Sequence, residues 1–191
     1  ETEIGVEQED ILDDSEVFED GARSMSLGEL LRWMIIVSDN TATTALLRHF
    51  TMERINAYCQ AAGLKDTRVE RLMLDYAAMA AGKNNYTSAR DQYAMFSGLY
   101  QGAALGEELR GFALDALRDQ RCQDGFLRHI AGPVRVAHKT GSLDGIDHDS
   151  GVFELDGMRY YLGVFVTDAP DNAFGRRRIG RIAKIIYEAN R

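Results

Sequence analysis

The chain has 191 residues, 45% of them hydrophobic and 27% charged, with a formal net charge of −8. That length allows one globular domain with a sizeable core and no need of disulfides or metal. The surplus of acid repels phosphate, which sets general nucleic-acid binding aside, and no apolar run approaches the roughly 18 residues that read as a membrane-spanning helix.

Residues 1 to 20 hold ten carboxylates and no basic side chain. Residues 1–25 therefore read as an acidic extended connection, the opposite of the basic start of a signal peptide. Either an export signal has been removed or the protein stays in the cytoplasm. Ser26-Leu-Gly-Glu29 is a capping box, and Leu27, Leu30, Leu31, Met34 and Ile35 recur after it at helical spacing. A second helix starts after Ser38-Asp39-Asn40, with Ala42, Ala45, Leu46 and Phe50 on one face. Thr51 caps a third, which stops at Gly63. Ser88 opens another, with Tyr93, Phe96 and Leu99 or Tyr100 inward, and Gly106 to Asp119 forms one more. The apolar runs Trp33 to Val37 and Tyr76 to Ala81 are expected in a core.

After this helical part, about residues 26–130, the period changes. Val134 and Val136 alternate with Arg135 ahead of Lys139-Thr140-Gly141, as in a strand. Asp156-Gly157, between Gly151–Leu155 and Met158–Thr167, is a two-residue hairpin signal. Ala173 to Asn190 places Ile179, Ile182, Ala183 and Ile186 on one helical face, and Arg176, Arg177, Arg178, Arg181 and Lys184 read as its solvated side. The whole is expected to be α+β, one domain over 1–191 with its sheet part at about 134–191. Cys59 and Cys122 lack the spacing of a redox or zinc motif and are expected as reduced thiols. His49, His129, His138 and His148 show no ligand spacing, and no Gly-rich loop fits a nucleotide, so neither metal nor cofactor is expected. His148 and Asp149, just past the Lys-Thr-Gly turn, could line a cleft but read more simply as strand-start residues.

Two tripeptides carry chemistry: Ser38-Asp39-Asn40 at a helix–helix junction and Lys139-Thr140-Gly141, followed by Ser142, at a strand end. Each alone has a plain structural reading, as helix caps or as a strand ending in a turn. The pair, in this order and on these elements, is far more specific. With Thr41-Ala-Thr-Thr44 and Arg68-Val-Glu-Arg71 before a loop, the chain resembles the penicillin-recognising serine hydrolases, nearest the class A β-lactamases. The resemblance implies an all-helical lobe beside an antiparallel sheet covered by helices, with the family's first helix and strands missing. It also implies a secreted or cell-envelope setting and a small carboxylate-bearing substrate, a β-lactam or peptide-like compound. Residue by residue, it implies that Ser38 relays a proton toward the leaving nitrogen and that Lys139 holds that hydroxyl and supplies positive potential. It implies, too, that Asn40 binds the substrate amide or the acylating region. Lys139, Thr140 and Ser142 grip the carboxylate, and the Ser142 N–H beyond Gly141 forms half of an oxyanion hole.

The family nucleophile, the serine of Ser-x-x-Lys, has no match: none of the serines at 15, 24, 26, 38, 88, 97, 142 and 150 has lysine three positions on. Aligned on Arg68–Arg71, the place of the deacylating glutamate falls to Met73, with Asp75 the nearest carboxylate downstream and Glu70 on the wrong side of Arg71. Two readings stand. One is a fragment of a working hydrolase, whose nucleophile segment is a separate N-terminal piece. The other is an inert homologue or binding protein that keeps the carboxylate cleft. Loss of a central buried helix would leave a costly cavity, which favours the fragment. A glutaminase-like amidase on the same architecture is a third reading.

Overall fold

In the computed structural model, residues 2–191 are described; Glu1, the first of the acidic stretch, lies outside the described residues. The chain groups into two compact units, residues 1–91 and 92–191.

The first unit corrects the reading of its start as a mere extended connection. β1 (Glu3–Val6) pairs antiparallel with β2 (Arg23–Ser26), Ile4 opposite Met25. The reason was present in the sequence: Glu3, Ile4, Gly5, Val6 and Glu7 alternate, so the carboxylates face water while Ile4 and Val6 are buried. Ser26 then caps α1 (Leu27–Ile36) through the expected capping box, its hydroxyl taking the Glu29 N–H while the Glu29 carboxylate takes the Ser26 N–H. Asp39 caps α2 (Asn40–Phe50) and Thr51 caps α3 (Met52–Ala61). Ile4, Val6, Phe18, Met25, Leu30, Ala42, Ala45 and Leu46 form one apolar core. The run Tyr76–Ala81 is not core. It forms the short α4 (Tyr76–Ala80), with no buried residue and with Tyr76 68% exposed. Of the run Trp33–Val37, Ile36 is buried and the rest are half-buried.

α5 (Ala89–Gln101) crosses from the first unit's sequence into the second. Phe96 is buried as expected, whereas Tyr93 is 55% exposed and meets Tyr161 edge-on at 5.3 Å. In the second unit, α6 (Glu107–Arg118) packs on β3 (Val136–Leu143), which pairs with β4 (Ile146–Leu155) and β4 with β5 (Met158–Val166), all antiparallel in the order β3-β4-β5. Asp156-Gly157 turns the β4–β5 hairpin as expected, Gly157 at φ 80°. Gly145 at φ 67° turns the preceding one. α7 (Asn172–Ala189) and a 3-10 turn at Phe126–His129 cover the sheet, and Phe126, Val136, Phe153, Leu162, Val164, Ile179 and Ala183 form its core. Ile182, expected inward, is 39% exposed. Gly151 lets β3 and β4 pair closely, because a Cβ there would run into the Ala137 carbonyl and His138. Cys59 and Cys122 are both free. Among the described residues no helix is long and apolar enough to cross a membrane.

Candidate active site

Ser38 occupies the turn between α1 and α2 with φ 61°, a left-handed conformation uncommon for a side chain larger than glycine. Asp39 explains why the chain holds it. Its buried carboxylate takes the Ala42 N–H at 2.7 Å through one oxygen and the Ser15 hydroxyl at 2.6 Å through the other. Thr41, also buried, takes the Leu12 N–H at 2.9 Å. Of the three motif residues, then, Asp39 is the cap, Ser38 is half-buried before it, and Asn40 begins the helix with its Nδ2 donating to Asp14 Oδ2 at 2.7 Å.

Lys139-Thr140-Gly141-Ser142 lies in the second unit, inside β3 and not at its end, since the strand continues to Leu143. β3 is an edge strand. The Glu154 N–H donates to the Arg135 carbonyl at 2.9 Å. Antiparallel alternation carried along the register then turns the N–H and C=O of 137, 139 and 141 toward β4 and those of 138, 140 and 142 toward the outer edge. The Lys139 ammonium meets that edge, donating to the Thr140 carbonyl at 2.7 Å. Burial holds this ammonium below the ordinary lysine range, while the nearby Cys122 and Asp149 pull it upward. A less hydrated cation is a stronger partner for an incoming anion.

The side chains divide differently. Successive residues of a strand point to opposite faces, so Thr140 and Ser142 leave the face that Lys139 uses. Ser142 Oγ donates to Asp147 Oδ1 at 2.9 Å, its cross-strand neighbour. The buried Asp147 also receives Asn172 Nδ2 at 3.0 Å and Arg176 Nε at 3.1 Å, and Arg176 continues to Asp124 at 2.5 Å. Arg176 is thus tied into the sheet, a correction to its reading as part of a purely solvated face. Two positions along the same face, Asp149 is fully buried, accepting from the Phe126 N–H at 2.9 Å and lying 2.8 Å from His138 Nδ1. Sequence reasoning does not single out Asp147 and takes Asp149 for a strand-start residue, although it lies inside β4; Asp147-His-Asp149 on a strand facing Ser142 and Thr140 was the available signal. His148 lies inside β4 on the Lys139 face, its Nδ1 2.8 Å from its neighbour's carbonyl.

The loop after Arg68-Val-Glu-Arg71 is pinned at its neck. Arg68 and Tyr86 form an isolated antiparallel bridge. Asn85 Oδ1 takes the Glu70 and Arg71 N–H groups, and the buried Arg71 reaches Asn84 Oδ1 at 3.0 Å. Met73 is half-buried inside this loop. Asp75 caps α4 by taking the Ala78 N–H at 2.8 Å. Glu70 accepts from Arg68 Nε at 3.1 Å, and the Asn84 N–H and that Arg68 bond hold its carboxyl below the usual range.

These elements make up an α+β fold of the β-lactamase kind. The chain belongs to the beta-lactamase enzyme family, whose model matches residues 1–190. A β-lactamase from Chitinophaga pinensis superposes with a TM-score of 0.90 at 21% identity, over 100% of this chain and 76% of that one. A class A β-lactamase from Bacteroides cellulosilyticus does so with a TM-score of 0.85 at 25% identity, over 98% of this chain and 73% of that one. PBP-A gives 0.87 at 23% identity, over 98% and 71%. A search of curated proteins found no match.

Proposed function

We propose that the chain carries the substrate-gripping part of a β-lactamase-like serine hydrolase that acts on β-lactams, or on related carboxylate-bearing amides and esters, through an acyl-enzyme. The observation that carries this reading is the edge strand β3. It offers the Thr140 and Ser142 N–H groups outward beside a partly desolvated ammonium at Lys139. An anion binds such an edge through charge and backbone donors together, and the Ser142 N–H is the donor aimed at an oxyanion. The roles assigned are Ser38 and Lys139 in proton transfer, Asn40 at the substrate amide, and Thr140, Gly141 and Ser142 at the carboxylate and oxyanion. Residues 1–191 act in this reading as a single domain. No serine of the sequence is followed by lysine three positions on, so no nucleophile is assigned within it. A secreted or cell-envelope setting goes with the family.

In protein expressed from its complete gene, intact mass after benzylpenicillin should rise by one acyl group, and Lys139→Ala should slow acylation by about 10² to 10⁴, the range of positioned proton-transfer groups. An unchanged rate removes Lys139 from the chemistry. The second reading is a homologue that binds without reacting. It gives saturable penicillin binding with no mass gain.

A further inference from the structure

Asn40, the residue assigned above to the substrate amide, already has a partner: its Nδ2 donates to Asp14 Oδ2 at 2.7 Å. The segment that brings Asp14 there is fixed to the first turn of α2 by buried bonds. Ser15 donates to Asp39 at 2.6 Å, Leu12 N–H to Thr41 at 2.9 Å, and Phe18 N–H to Ser15 at 3.3 Å. Ser15, Asp39 and Thr41 are buried, whereas Asp14 faces water. An Asn amide has two N–H groups; one goes to Asp14 and the second remains for a ligand carbonyl. No ion pair neutralises Asp14 among the described residues, and the first basic residue of the sequence is Arg23, whose guanidinium reaches the Val17 carbonyl. The charged residues from Glu9 to Asp20 are all acidic, and of these Asp10 is paired with Arg48.

We propose that Asp14 is a specificity-determining residue that selects acyl donors carrying an ammonium on the carbon next to the acyl carbonyl. The proposal rests on the reading of Asn40 as the amide-binding residue and adds the substrate class to it. A ligand carbonyl that accepts the second Asn40 N–H at about 2.9 Å places a neighbouring ammonium within roughly 5 Å of the Asp14 carboxylate, close enough for direct attraction. At a solvent-exposed site that attraction yields a preference of about 1.5-fold to fivefold.

The test titrates the ¹⁵N-labelled 191-residue chain with ampicillin and with benzylpenicillin, which differ by one α-amino group. It is run near pH 6, below the roughly 7.7 of a free α-amino group. Ampicillin should bind about 1.5-fold to fivefold tighter. The preference should shrink as salt is raised to about 0.5 M, where the Debye length falls to roughly 4 Å. It should also vanish in Asp14→Asn, whose amide oxygen keeps the Asn40 bond; an unchanged urea midpoint verifies that this variant is folded. Equal affinities in the unsubstituted chain, or a preference that survives in Asp14→Asn, overturn the assignment of Asp14 alone. If neither penicillin binds the unsubstituted chain, the anion-gripping reading itself fails and this inference with it.

Discussion

Asp147→Ala tests whether the Ser142 end of β3 is held from behind. The carboxylate is 3% exposed and takes three donors, Ser142 Oγ, Asn172 Nδ2 and Arg176 Nε, at 2.9, 3.0 and 3.1 Å. Breaking a buried pair by removing one partner costs about 3–5 kcal/mol, but here much is recovered. Asn172 keeps the Leu143 and Ile146 carbonyls, Ser142 reaches water, and Arg176, 38% exposed, keeps Asp124. The expected loss is therefore about 2–3 kcal/mol, or about 5–10 °C in Tm for a chain of this size. Urea unfolding at neutral pH measures it, and the amide shifts of Thr140 and Ser142 show whether the strand edge moves with it. A built Cβ at Gly175 lies 2.5 Å from Asp147 Oδ2. Gly175→Ala should therefore be costly in the unsubstituted chain and markedly less so beside Asp147→Ala, a non-additivity of about 1 kcal/mol or more. A loss below about 1 kcal/mol for Asp147→Ala, or strict additivity of the two changes, would refute the claim that this carboxylate ties α7 to the strand.

Two further substitutions probe the sheet. Glu154, 15% exposed, accepts from Tyr100, Arg118 and Arg135 at 2.6 to 3.1 Å. Burial pushes its carboxyl up, but the Arg118 and Tyr100 bonds and the charges of Arg118 and Arg135 together bring it below the ordinary 4.5. A carboxyl depressed in the folded state contributes stability that is complete above its unfolded value and lost as pH falls through the folded one. Glu154→Gln should accordingly cost about 1–2 kcal/mol at pH 7, and the difference between the two proteins should close as pH is lowered through and below 4.5; a gap independent of pH in urea titrations would contradict this. Gly151→Ala forces a methyl group into the Ala137 carbonyl and His138, so the strands must separate at a cost of about 3 kcal/mol or more. A urea midpoint within experimental scatter of the parent would show that β3 and β4 are not packed this tightly.

What was legible in the sequence was local. Ser26 with Glu29, Asp39, Thr51 and Asp156-Gly157 each act within a few residues of themselves, and each sits at the cap or turn its chemistry prescribes. At the start of the chain, alternation outweighs charge. Ten carboxylates suggested an unpaired connection, while Ile4 and Val6, two apart, already marked a strand with one wet face. Tyr76–Ala81 failed in the opposite way. Its apolar content predicted burial, but the segment lies in a loop closed by Arg71, Asn84 and Asn85, where the short helix buries none of its residues.

The less legible part of the candidate site is the part that depends on register. Ser142 and Asp147 are five residues apart, and a linear scan gives no reason to join them. The Gly145 turn makes them direct cross-strand neighbours and sets Thr140 opposite Asp149. A slip of one residue would send both acids to the other face, to the side of the Lys139 ammonium. The buried partners on α7 and at Phe126 therefore do more than stabilise the sheet. By holding Asp147 and Asp149 behind β3, they keep two negative charges off the face that Lys139 occupies and leave the outer edge with its cation and its N–H donors. On the proposed reading, such an edge attracts an anion only because the register is fixed.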